Sequence, residues 1–283
     1  MTTYGVTGAT GHLGQLVVRA LLGRGVPPAD VVAIARTPAK AAELEALGVT
    51  VREGDYGRPE TLASALAGVD RLLLVSGNEL GTRVQGHRNV IAAAKDAGVS
   101  RIAYTSVLRA GSTELSLAPD HLATEDAIRD SGLPYVLLRN SFYTEVYLAK
   151  IPAALKTGEI VDATANRPAS TATRADYAEA AAAALTGDPQ NVIYELGGAP
   201  FTLSEFARAL SDASGTEVAH RNVTPAELTE VLKGAGLDGA TAAFVASLDD
   251  GQARGELYTD STDLADLLGR APTPFAEALR AAL

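Results

Sequence analysis

The chain has 283 residues and no cysteine, which excludes a disulfide framework, a thiolate metal site and a cysteine nucleophile. That absence fits a reducing compartment. Cations are also in short supply: 24 Lys and Arg stand against 34 Asp and Glu, a formal net charge of −10. Phosphate neutralisation needs clustered Lys and Arg, so a general nucleic-acid binder and a surface for anionic lipids are both disfavoured. No long apolar run is present. The longest, Ala178–Leu185, is interrupted by Glu179 and falls far short of the roughly 20 residues that cross a bilayer. A first strand expected at Tyr4 leaves no room for a signal peptide. The expectation is a soluble cytoplasmic protein, monomeric or homodimeric, with neither a nucleic acid nor a membrane as partner. No His, Asp and Glu cluster has metal-site spacing, so no metal is expected. No Ser-His-Asp pattern sits in a nucleophile elbow.

What is present is an ordinary globular balance, 47% hydrophobic and 20% charged, able to bury a sizeable core. The first half alternates short apolar runs with amphipathic ones. Strands are expected at Tyr4–Thr7, Val31–Ala35, Val49–Arg52, Arg71–Val75, Arg101–Thr105 and Tyr135–Leu138. Helices are expected between them at Leu13–Arg24, Pro38–Leu47, Pro59–Leu66, Thr82–Ala97 and Pro119–Ser131, several followed by the glycine that ends a helix. This alternation requires crossover connections and a parallel sheet covered on both faces. After about residue 140 the rhythm breaks. Helices are expected at Ala172–Leu185, at Thr202–Ser214 with a Thr202/Glu205 capping box, at Pro225–Ala235, at Gly239–Leu248 and over the last ten or so residues, with one strand at Val192–Leu196.

Gly8, Gly11 and Gly14, in the run Thr7-Gly8-Ala9-Thr10-Gly11-His12-Leu13-Gly14, lie between the first strand and the first helix. The first turns the chain off the strand, the second admits a pyrophosphate close to the backbone, and the third lets helix and strand pack tightly. The helix start then offers unpaired N–H groups and a partial positive charge to phosphates. At the end of the second strand an NAD-selective site places an acid for the ribose 2′-hydroxyl. Here no acid lies between Val31 and Ala42, while Arg36 and Lys40 supply two cations. That pattern suits the 2′-phosphate of NADP, the alternative being a solvent-facing Arg36. Gly54-Asp55-Tyr56 and Val75-Ser76-Gly77 follow the third and fourth strands, where ligands of such sheets lie. Asp55 is placed either to accept from an adenine amino group or to stabilise its own turn. The expected fold is therefore α/β: a doubly wound parallel sheet of the NAD(P)-binding Rossmann type, residues 1–140, with a smaller, mostly helical C-terminal lobe, residues 141–283, that partly returns to complete the sheet.

The run Thr7–Gly14, with Arg36-Thr37-Pro38, Gly54-Asp55-Tyr56 and Ser76-Gly77, resembles the NmrA-like branch of the atypical short-chain dehydrogenases. The segments Ile102–Ser106, His121–Glu125 and Leu138-Arg139-Asn140-Ser141-Phe142-Tyr143 are most similar to type-2 NAD(P)H:quinone oxidoreductases, with triphenylmethane-dye reductases a near relation. The resemblance implies flavin-free reduction of a quinone or similar conjugated acceptor by NADPH. It also implies that Leu138–Tyr143 lies along the nicotinamide and that Arg174 contacts the cofactor.

One departure bears on the chemistry. Ordinary short-chain dehydrogenases use a Tyr with a Lys four residues on, and none of the nine tyrosines here has one. His121 and Glu125 stand where that pair is expected. Two readings follow. Either His121 (oriented by Glu125), Tyr143 or water assists an acceptor whose reduced oxygen is phenolate-like and needs little acid catalysis, or His121 and Glu125 are an exposed i,i+4 pair at a helix start. Likewise Phe142, Tyr143 and Tyr147 form either an apolar wall for a planar acceptor or plain core. The functional alternatives are a dinucleotide-binding redox sensor without turnover and a reductase of dye, imine or nitro acceptors.

Overall fold

In the computed structural model the described residues are 2–77, 79 and 81–283. Among them β1 (Tyr4–Val6), β2 (Val31–Ala35), β3 (Thr50–Glu53), β4 (Arg71–Leu74), β5 (Arg101–Val107), β6 (Tyr135–Asn140) and β8 (Val192–Leu196) form one parallel sheet in the order β3-β2-β1-β4-β5-β6-β8. A second, two-stranded parallel sheet pairs β7 (Glu159–Asp162) with β9 (Ala219–Asn222).

The period-2 alternation of side chains divides the core of the main sheet. Val6, Ala33, Leu73, Ala103, Val136 and Leu138 face one layer, made by α1 (His12–Gly23) and α8 (Arg174–Thr186). Val32, Ile34, Leu72, Leu74, Ile102, Tyr104 and Leu137 face the other, made by α3 (Pro59–Leu66), α4 (Arg83–Asp96) and α5 (Ala118–Ser131). Every residue of β2 and β5 is buried, as a strand covered on both sides requires. α8 contributes a run of buried alanines, and their small side chains let it pack closely on α1.

The remaining helices are α2 (Ala42–Glu45), α6 (Thr144–Leu148), α7 (Ile151–Thr157), α9 (Leu203–Ser214), α10 (Pro225–Gly234), α11 (Gly239–Ala253), α12 (Asp263–Leu268) and α13 (Phe275–Ala281). Of these, α6, α7, α9 and α13 build most of a separate apolar cluster around Tyr147, Ile151, Phe206 and Leu257, in which Phe201 stacks on Phe275 at 3.7 Å between centroids. The Thr202/Glu205 capping box is present. Three expectations are corrected. The stretch Pro38–Leu47 breaks into a 3-10 turn over Pro38–Ala41 and the short α2. Thr173 caps α8, which therefore starts at Arg174 and not at Ala172. β5 and β6 run two residues further than their apolar runs, and these extra residues carry the polar groups Ser106, Arg139 and Asn140.

Two arginines at the amino ends of β4 and β5 tie the second half to the sheet. Arg101, 4% exposed, donates to the carbonyls of Ala184, Leu185, Gly187 and Pro189 at 2.7–3.2 Å. Arg71 donates to those of Leu185, Thr186 and Gly187 and to Asp188. Together they satisfy the carbonyls at the end of α8 and complement its dipole. Arg101→Met is expected to lower the unfolding free energy by about 3 kcal/mol in urea titration, since buried carbonyls would lose their donor. A loss well under about 1 kcal/mol would show that water replaces it.

Candidate functional site

The strand order reverses at β1, which opens a crevice beyond the carboxyl ends of β1 and β4. Gly8 takes φ +59° there, a left-handed conformation natural to glycine. The Ala9 N–H is held by the Ile34 carbonyl at 3.1 Å and the Gly11 N–H by the Gly8 carbonyl at 2.9 Å. A methyl group on Gly14 would collide with the Gly8 carbonyl, so α1 sits directly against the loop. No side chain caps α1, whose first N–H groups are left to a ligand.

These elements border a cavity of about 750 Å³. Of the residues expected from sequence, Gly8, Thr10, Gly11, His12, Leu13, Gly14, Arg36, Asp55, Val75, Ser76, Gly77, Tyr143 and Arg174 line it. Asp55 also turns its own loop, its Oδ1 accepting from the Gly57 N–H at 2.9 Å. Arg36 pairs with Glu79 at the mouth, both exposed. Arg174 lies with Cζ 4.7 Å from the centre of the Tyr143 ring, and its backbone N–H donates to Glu145. Burial raises the Tyr143 phenol above its usual range, so it stays protonated.

Other expected residues lie elsewhere. Ala9 is fully buried beneath the loop, and Lys40 is exposed on the 3-10 turn. Leu138 belongs to the core between the sheet and α1/α8. Arg139 is engaged by Glu125 and Glu195 at 2.7–2.9 Å. Asn140 and Ser141 are buried, the Ser141 hydroxyl donating to the Leu257 carbonyl, and Phe142 packs against the lobe's cluster. Tyr147 belongs to that same cluster as core.

For His121 the structure corrects the exposed-pair reading and places the residue away from the cavity. α5 turns His121, Thr124, Glu125 and Ile128 inward, at the spacing of one helical face. His121 is 7% exposed, with Nδ1 2.8 Å from the Tyr104 hydroxyl, and does not border the cavity. Burial first, then the charge of Arg83, pushes its imidazole down to about 3. Glu125 is not its partner: it accepts from Ser106 at 2.6 Å and from Arg139, and it pairs with Arg129. The place of a Tyr/Lys pair is thus occupied by a neutral histidine and a spent carboxylate.

The sequence reading missed the stretch from Glu79 to Asn89. Glu79, Thr82, Arg83, Gln85, Gly86 and Asn89 all line the cavity. The rule that ligands lie beyond the carboxyl ends of strands covers the first turns of the following helix, and the polar run there was the available signal. Two internal contacts shape this wall. Tyr56 donates from its hydroxyl to the Val75 carbonyl at 2.8 Å, while Asn89 donates to the Tyr56 carbonyl. His87, fully buried, accepts the Gly77 N–H on Nε2 at 2.9 Å, so its Nδ1–H faces Thr124 Oγ1. That arrangement fixes a neutral tautomer and ties the Ser76–Gly77 loop to α5. Outside this cavity, a groove of about 490 Å³ on the outer faces of α4 and α5 presents Arg88, Lys95, Asp126 and Asp130 but no strand end or loop backbone.

Residues 8–188 match the model of the NAD(P)H-binding family. The chain is 45% identical to quinone oxidoreductase 2 of Escherichia coli over 276 residues, 97% of this chain and 96% of that one. It is 31% identical to an NmrA-like family domain-containing oxidoreductase of Aspergillus flavus over 297 residues, 98% and 94% of the two chains. The chain belongs to the NAD(P)H-binding, NmrA-like family. This family member superposes on the E. coli NADPH-dependent quinone oxidoreductase, crystallised with NADPH, with a TM-score of 0.95 at 45% identity over 98% of both chains. It superposes equally well on the Citrobacter sp. triphenylmethane reductase complexed with NADP(H), TM-score 0.95, at 40% identity over 99% of this chain and all of that one. Among the described residues no helix is long and apolar enough to cross a membrane.

The two neutral histidines predict an acid sensitivity. His87 is pushed down to about 4, by burial and then by Arg83, and His121 to about 3, against 6.5 for a free imidazole. Below pH 6.5 the unfolded chain takes up protons that the folded chain refuses. Stability present above 6.5 is therefore lost as pH falls toward 4, by up to about 1.4 kcal/mol per pH unit for each histidine. In urea unfolding measured from pH 7 to 4.5, His121→Gln is expected to flatten this decline. An unchanged slope would mean that His121 is not held neutral.

Proposed function

We propose that this chain reduces quinones and similar conjugated acceptors with NADPH, without a flavin. One observation carries the reading. A single cavity joins the glycine loop, the uncapped start of α1, an acid-free β2 end bearing Arg36, and the Tyr143/Arg174 pair, in a chain 45% identical to an NADPH-dependent quinone oxidoreductase. The fit to the cofactor is steric as well as electrostatic. A β-carbon on Gly14 would collide with the Gly8 backbone, so its absence lets α1 start directly against the loop, and the helix start provides N–H groups for a pyrophosphate.

In this reading the Gly8–Gly14 loop holds the pyrophosphate, and Arg36 exchanges Glu79 for the 2′-phosphate. Exchange is cheap because both partners of that ion pair are exposed. Asp55 and Tyr56 flank the adenine, and Val75–Gly77, Tyr143 and Arg174 border the nicotinamide end. When bound, NADPH supplies a hydride. The protein positions the acceptor between the carboxyl edge of the sheet and the lobe of residues 141–283, and excludes water there. Among the described residues Tyr143, held protonated by burial, is the one phenol lining this cavity beyond Tyr56, and it can share its proton with an acceptor oxygen. A quinone needs little more, since its reduced oxygen is a phenolate and not an alkoxide. The 40% identity to a triphenylmethane reductase extends the expected acceptors to cationic dyes. The cysteine-free, acidic chain suits the cytoplasm.

Steady-state NADPH oxidation with a panel of benzoquinones and naphthoquinones, alongside NADPH titration, tests the reading. Tight binding with no turnover on any acceptor would leave a dinucleotide sensor in its place. Arg36→Ala is expected to weaken NADPH by at least about tenfold more than NADH, the size of one charge-assisted phosphate contact. Equal losses for both would remove Arg36 as the reader of the 2′-phosphate.

A further inference from the structure

Arg83 is the first residue of α4 and lines the cavity. Its side chain is only 9% exposed. Among the described residues, neither Nε nor Nη1 has a hydrogen-bond partner. The carboxylate paired with it is Asp120 of α5, whose Oδ2 lies 3.6 Å from Nη1, beyond hydrogen-bond range. A buried guanidinium with unused donors is costly, and because Arg83 borders the cavity, a turn of its side chain would offer those donors to an anionic or strongly polarised oxygen there. Its field also acts on His87 and His121, disfavouring their protonated forms. No imidazolium therefore competes with it for an anion.

The position of Arg83 selects the ligand. The anionic parts of the cofactor have recipients along β1 and β2, in the glycine loop, the start of α1 and Arg36. Arg83 stands on the other side of β4, turned toward the start of α5. This is the helix that carries the Tyr/Lys pair in ordinary short-chain dehydrogenases, and here its Glu125 is spent on Ser106, Arg129 and Arg139.

We propose that Arg83 binds the acceptor's oxygen, as a carbonyl before reduction and as a phenolate after it. The proposal rests on the quinone-reductase reading. A quinone that takes up a hydride from the reduced nicotinamide becomes the hydroquinone monoanion, and one proton from water then gives the hydroquinone. Arg83 remains charged throughout, so it stabilises the phenolate without titrating. Its planar fork also orients the oxygen, which a lysine would do less well.

The test uses 2-hydroxy-1,4-naphthoquinone, an anion at neutral pH, as a binding probe for the NADP⁺-loaded protein, read by its absorbance. Arg83→Gln is expected to weaken the probe by at least about tenfold and to lower kcat/KM for neutral quinones by about 100-fold, the range seen when an oxyanion donor is removed. NADPH affinity should not change. Turnover of a cationic triphenylmethane dye, whose reduced product bears no oxyanion, should be unchanged or faster. Arg83→Lys should recover part of the probe affinity, and it preserves the comparison if the glutamine variant does not fold. A rise in the NADPH Kd that matches the loss would make Arg83 a cofactor contact and overturn the proposal. So would equal losses on quinone and dye. If the wild type binds the probe through Arg83 yet reduces no quinone, the quinone-reductase reading fails while the anion site stands.

Discussion

A β-carbon on Gly14 would lie 2.8 Å from the Gly8 carbonyl carbon and 2.9 Å from the Ala9 α-carbon. Backbone fills that space, so α1 can begin only where residue 14 has no side chain. The rest of the cleft follows from this contact. α1 starts against the loop, its free N–H groups face the crevice, and its apolar stripe of Leu13, Val17, Val18 and Leu21 lands on β1 and β2. The Ala9 N–H, caught by the Ile34 carbonyl, then sets the loop against the end of β2, where Arg36 stands. Helix, loop and cation are placed by one steric condition, and α8 seals the outer side by packing on α1.

A second condition acts across β4 and concerns buried polar groups, each of which must find a partner. Between α5 and the sheet, Glu125 is met by Ser106 and Arg139, His121 by Tyr104, and His87 by Gly77 and Thr124. Glu125, His121 and His87 are each thereby given a structural task. His87 shows what this gains: its ring holds the Gly77 N–H, so the loop bordering the cavity is braced from the core. In the proposed reaction proton transfer is left to Tyr143 and to water, which suits an acceptor whose reduced form is a weak base.

The central sheet was legible because period-2 burial and helix-ending glycines act locally and were both in the sequence. β2, α3 and β8 fall at their expected bounds. β7 and β9 were not legible. β9, Ala-His-Arg-Asn, is polar and largely exposed, and it is a strand only because β7 lies beside it. In the site, the glycine loop and Arg36 were readable since a local motif carries them. Leu138–Asn140 were assigned by resemblance to the nicotinamide, but the alternation of β6 sends Leu138 into one core layer and Arg139 to Glu125 on the other face. The burial of His121 was not legible because an i,i+4 polar pair reads the same whether the face is solvated or turned inward. Only the packing of α5 on β5 distinguishes the two, and no local spacing encodes that.

The same packing explains the charges of the cavity. A chain of net charge −10 places three arginines on its walls, and each has one carboxylate: Glu79 for Arg36, Glu145 for Arg174, Asp120 for Arg83. The pairs are graded by burial. Arg36 and Glu79 are both largely in water, where separating them costs little, so a phosphate can displace the carboxylate without opening the fold. Arg174, 23% exposed, keeps Glu145 at 3.7 Å and spreads its charge over the Tyr143 ring. Arg83 is the most buried of the three, and its carboxylate stays out of hydrogen-bond range. Attraction per unit charge is greatest where water is excluded, so the least satisfied cation is also the one with the strongest local field. A doubly charged phosphate would be held at such a point through every turnover, whereas a phenolate leaves once it is protonated. The gradient thus assigns exchangeable binding to the mouth and transient charge stabilisation to the interior, as a reductase that must replace NADP⁺ by NADPH and release its product at each turnover requires.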